Sequence, residues 1–124
     1  MQEGILWTYF ANSLLLITHQ IDAAYWKEWE LFGLKGGIAG FLLFNLFATA
    51  LLLYGLILII EDSPNGILFS FLMGVIGVFT FLIHVYFINK GRKEFRTATS
   101  LSILAAILIV SSIQILLSAL LFFH

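Results

Sequence analysis

The run Phe41–Ile60, "FLLFNLFATALLLYGLILII", holds 20 consecutive residues without a charge. A helix needs about 20 mainly apolar residues to cross the hydrocarbon core of a bilayer. The run does not alternate apolar and polar residues, as the strands of a membrane barrel must. A chain built around such a run is a helical membrane protein. The rest of the sequence agrees: of 124 residues, 61% are hydrophobic and only 10% charged, too few to give a soluble domain its polar surface. Four segments fit a membrane span, at about residues 5–25, 36–60, 66–89 and 97–123. The expected fold class is all-α, an integral membrane bundle of four antiparallel transmembrane helices, forming one domain over residues 1–124.

The N-terminal segment differs from a secretory signal. Its only charge before the apolar stretch is Glu3, and bulky aromatics follow "AAYW" where a small-residue cleavage site belongs, so it reads as a retained first helix. Cysteine is absent, which excludes disulfides, thiolate metal sites and palmitoylation. A formal net charge of −1 gives no electrostatic footprint for nucleic acid.

Charge placement sets an expected threading. Lys27 and Lys35 lie between the first and second spans, and Lys90, Arg92, Lys93 and Arg96 between the third and fourth. In a four-span protein both connections fall on one side. The other side receives Glu3, the turn with Glu61 and Asp62, and His124, and has no Lys or Arg. The positive-inside rule then places the basic connections in the cytoplasm and both termini outside, as in a multi-pass protein of the bacterial inner (plasma) membrane. Pro64, Asn65 and Gly66 supply the chemistry of the outer turn.

Helical spacing aligns Thr8, Asn12, His19 and Asp22 on one side of the first span. Asn45 and Thr49 fall on the second, Ser70, Gly74, Gly77 and His84 on the third, and Ser100, Ser111, Gln114 and Ser118 on the fourth. Polar side chains inside a bilayer are costly unless they face protein, so these stripes are expected to meet in a polar interior. Gly36 and Gly40 have the spacing that lets helix backbones approach. The depths of His19, Asp22, His84 and Asn45 place them together in the cytoplasmic half: at 1.5 Å per residue His19 lies roughly 12 Å before Lys27. On a continuous first helix Glu30 shares the His19 face about 16 Å further along, and Glu28 points away. Glu30 reaches His19 only if the chain folds back after Trp26. Tyr25, Trp26 and Trp29 suit an interfacial aromatic belt, with Lys27 and Lys35 beside them.

The candidate binding residues are therefore His19, Asp22, His84, Asn12, Asn45, Glu28 and Glu30, with His19, Asp22 and His84 as candidate metal ligands. Their chemistry supports a proton or ion relay, a divalent metal site able to activate water, or two axial ligands of a haem. The segment "THQIDAAYWKEWELFGLKGG", through His19, Asp22, Tyr25, Trp26, Glu28 and Trp29, resembles a group of small uncharacterised bacterial four-helix membrane proteins. That resemblance implies no activity. Membrane hydrolases of the ceramidase type also combine His, Asp and Ser, but this chain is too short and has too few histidines to match them. The expected function is binding or translocation of a proton, ion or small polar solute, in a homo-oligomer or with a membrane partner. The alternatives are a metal-dependent membrane enzyme acting on a lipid-like substrate and a non-catalytic accessory subunit.

Overall fold

A computed structural model describes residues 2–123; His124, expected on the outer side, lies outside them. The chain forms α1 (Gln2–Tyr25), α2 (Glu28–Leu31), α3 (Gly37–Ile60), α4 (Pro64–Asn89) and α5 (Ala98–Phe122). No strand occurs among the described residues. Three helices, α3, α4 and α5, are long and apolar enough to cross a membrane. The 24-residue α1 is of similar length, but Asn12, His19, Gln20 and Asp22 make it more polar.

The ends of these helices follow from local chemistry. Ser63 caps α4 by accepting from the Asn65 N–H at 3.3 Å, with Pro64 in the first turn, where its missing N–H costs nothing. Thr97 caps α5 by accepting from the Ser100 N–H at 3.0 Å. α1 stops where Lys27 turns left-handed, at φ 53°. Between α2 and α3 the chain reverses through Gly36 and Gly37, at φ 114° and 61°, a conformation that side chains rarely tolerate.

Burial is inverted relative to a soluble bundle. Asn12, Ser70, Ser111, Gln114 and Ser118 are completely buried, while large apolar side chains such as Phe47 and Leu46 are 68% and 64% exposed. The buried polar groups join the helices. Asn12 Nδ2 donates to Ser111 Oγ (3.0 Å) and Gln114 Oε1 (2.8 Å), Gln114 Nε2 donates to Ser70 O (2.9 Å), and Ser118 Oγ donates to Ser70 Oγ (2.9 Å). Gly74 and Gly77 permit this closeness. A Cβ at Gly77 would collide with Ser111 Oγ, and one at Gly74 would stand 2.7 Å from Ile115 Cγ1. Gly36 and Gly40 do not act this way within the chain: Gly36 precedes α3 and Gly40 has only the Lys35 carbonyl nearby, at 3.8 Å.

The helices pack unevenly. α1, α4 and α5 each bury residues along most of their length. α3 buries only Gly55, Leu58 and Ile59, all near its C-terminal end. There Tyr9 Oη of α1 donates to the Leu52 carbonyl at 2.5 Å, and Gly66 meets the Ile59 backbone. Toward its N-terminal end α3 stands off from the bundle, and a cavity of about 770 Å³ fills the space between α1, α2, α3 and α4.

Candidate functional site

His19 on α1 and His84 on α4 are each 2% exposed, and their rings touch edge to face with centroids 4.5 Å apart. Both occupy inward positions of their helices: His19 follows Asn12 and Leu16 along the buried stripe of α1, and His84 follows Gly77 on α4. His84 Nδ1 lies 2.7 Å from the Thr80 carbonyl. A carbonyl can only accept, so Nδ1 carries the proton and Nε2 presents its lone pair to the interior.

Glu28 completes the cluster because the chain folds back. α1 ends at Tyr25, Lys27 reverses the direction, and the single turn of α2 turns Glu28 inward. Its Oε1 stands 3.7 Å from His84 Nε2, beyond hydrogen-bond range. Burial pushes the Glu28 carboxyl, which lies outside the long helices, up to about 7. Leu31 and Trp26 pack in a small core with Ala23, Phe95 and Leu104, which holds the fold-back in place. Phe95, 1% exposed at a left-handed φ of 65°, covers the pair, with ring centroids 5.3 Å from His19 and 4.6 Å from His84.

Four buried atoms here lack a hydrogen-bond partner: His19 Nδ1, His19 Nε2, His84 Nε2 and Glu28 Oε2. Unpaired buried polar atoms are rare and costly in folded proteins. One ligand atom from each of the three residues lies within 4.8 Å of the others. A tetrahedral ion with bonds of about 2.0–2.2 Å holds its donor atoms roughly 3.4 Å apart, so seating one would draw the donors together by up to about 1.4 Å. Two neutral imidazoles and one carboxylate suit zinc, iron or manganese, and three protein donors leave a coordination position open.

The other expected residues lie elsewhere. Asp22 is not a member of the cluster: its Oδ2 accepts from Ser100 Oγ at 2.6 Å and its Oδ1 from Trp26 Nε1 at 2.9 Å, which ties α1 to α5 and to the fold-back. Three residues along a helix turn a side chain about 60° from its predecessor, enough to send His19 toward α4 and Asp22 toward α5. Glu30 is exposed, since two residues on from Glu28 a helix presents the opposite side. Asn12 belongs to the deeper hydrogen-bonded layer with Ser111 and Gln114. Asn45 Oδ1 accepts from Gln20 Nε2 at 2.7 Å, and both line the cavity without joining His19, Glu28 and His84. The haem arrangement does not fit, because axial ligation needs the macrocycle between the two imidazoles, and these rings are in direct contact. Sequence reasoning missed Phe95. Its one signal is the location of an aromatic residue in the highly charged 90–96 connection.

The cavity adjoins the cluster, with His19, Glu28 and His84 at one end and walls from Leu16, Phe41, Phe44, Met73 and Ile76. A family model described as a family of unknown function, DUF6713, matches residues 5–121. No curated protein and no solved structure gave a match. The chain belongs to the DUF6713 family.

Proposed function

We propose that this DUF6713 protein is a four-span membrane protein that holds a divalent transition-metal ion at His19, Glu28 and His84, in the cytoplasmic half of the bilayer. The observation that carries the reading is the convergence of one ligand atom from each of three buried side chains on three elements, in a cluster where four buried ligand atoms lack a partner. A structural cluster would use those atoms in hydrogen bonds, as Gln114 does with both ends of its amide. The long helices run antiparallel in this reading, with the basic connections inside and both termini outside, a threading supported by the one-sided placement of all six Lys and Arg residues. Binding is favoured over translocation because Phe95 closes the cluster on one side and an apolar cavity flanks it on another.

Elemental analysis of the purified protein tests the proposal. The expected result is one zinc, iron or manganese ion per chain, lost in His84→Ala and in Glu28→Gln. A wild-type protein that retains no metal after reconstitution with any of the three would overturn it. The threading is checked separately by single cysteines in this cysteine-free chain. Arg92→Cys should resist an impermeant thiol reagent in intact cells and Asp62→Cys should react; the opposite pattern reverses the orientation.

A further inference from the structure

An ion held by His19, Glu28 and His84 would border the cavity that these three residues line. The cavity volume, about 770 Å³, falls within the range of sites that enclose one small organic molecule, roughly 300–1,000 Å³. Polar groups are concentrated: the three ligands lie at one end, with the Gln20–Asn45 pair nearby, and the remaining walls are almost wholly aliphatic and aromatic. Several wall residues also belong to the exposed apolar surface. Phe44, Leu51, Ile76 and Phe79 line the cavity and are each more than half exposed. In a membrane that surface is covered by lipid, so the cavity opens sideways, between α3 and α4, into the acyl-chain region. Its occupant would therefore arrive from the bilayer.

Charge selects the polar end of that occupant. A divalent ion held by two neutral imidazoles and one carboxylate leaves the site with one net positive charge. Lys35 lines the same cavity and adds a second cation. An anionic oxygen donor answers both. On this basis, which rests on the metal reading above, we propose that the cavity binds a long-chain fatty acid. The carboxylate would fill the open coordination position and the chain would lie along the groove between α1, α3 and α4. Ala48 lines this groove on α3 and takes no part in holding the metal, so a larger side chain there obstructs the tail alone.

Cobalt(II) substitution provides the test, because its visible bands report changes in coordination. Cobalt-loaded protein should bind palmitate saturably with a change in those bands. Hexadecane should produce no change, and acetate should require concentrations at least 100-fold higher. Ala48→Trp should keep one cobalt per chain yet weaken the palmitate response at least 10-fold, and the milder Ala48→Leu should show the same trend. A cobalt spectrum indifferent to palmitate, or an equal response in both Ala48 variants and the wild type, overturns the fatty-acid proposal and leaves the metal reading intact. Absence of any cobalt spectrum removes both, so the two failures are distinguishable.

Discussion

Two polar clusters sit inside the same bundle, and they are built in opposite ways. In the layer around Asn12, Ser70, Ser111, Gln114 and Ser118, side chains of α1 and α5 donate to side chains of α4 and α5 or to an α4 carbonyl at 2.8–3.0 Å. Of its side-chain atoms only Asn12 Oδ1 is buried without a partner. In the cluster of His19, Glu28 and His84, four atoms are buried without partners. Both clusters are shielded from water, so burial does not distinguish them. The difference is completeness: the first set of groups largely satisfies itself and fixes helix positions, while the second leaves four atoms unsatisfied.

The comparison is broken most directly by removing a ligand. His84→Ala or Glu28→Gln should weaken metal binding by more than about 100-fold, since even loss of a partner that merely supports a ligand costs 10–100-fold. Without metal, the isosteric Glu28→Gln should be about as stable as wild type, whereas His84→Ala, which empties the space packed against His19 and Phe95, should be less stable. Equal metal content in wild type and variants would show that both clusters are structural. Next in size is Gly77→Leu, whose side chain must displace Ser111 and open the Asn12 layer. It should cost roughly 1–3 kcal/mol, read as a lowered unfolding temperature in detergent. Gln114→Leu should follow. It removes one of the two acceptors of Asn12 and the side-chain donor to the Ser70 carbonyl, at about 1 kcal/mol by the scale of hydrogen bonds between membrane helices. An unchanged melting curve for both would mean that the layer contributes nothing to helix association. Asp22→Asn sharpens the boundary between the clusters. Because Asp22 is held by Ser100 and Trp26, metal affinity should fall by less than about 10-fold, the lower bound for losing a ligand's direct support. A loss as large as that of His84→Ala would return Asp22 to the ligand set.

Much of the architecture was legible because it rests on residue type and helical period. The uncharged run at Phe41–Ile60 and the polar stripes of α4 and α5 follow from those alone, and Ser70, His84, Ser111, Gln114 and Ser118 are all buried. The pairing of His19 with His84 was legible too, since depth and face determine it. The third member of the cluster was not. On a continuous helix Glu28 points away from His19, and nothing local requires Lys27 to adopt a left-handed conformation. That turn is held by distant contacts of Leu31 and Trp26 with Phe95 and Leu104. Asp22 was the natural choice in its place because the His-x-x-Asp spacing puts both residues near one face. Ser100, 78 positions away, takes its carboxylate instead. Gly36 and Gly40 misled for a similar reason: small-residue spacing marks a possible approach, but here the first glycine serves the turn into α3.

The fold-back at Lys27 has a consequence for how the protein matures. The two histidines arrive as parts of separate long helices, and Glu28 joins them only after α2 has docked against residues that include Phe95 and Leu104, contributed by the last quarter of the chain. A nascent protein that has not yet delivered α5 thus presents an incomplete donor set. An ion that binds only the finished arrangement stabilises it by mass action. The centre would serve as a latch closed at the final step of biogenesis, retained by chains whose insertion has run to completion.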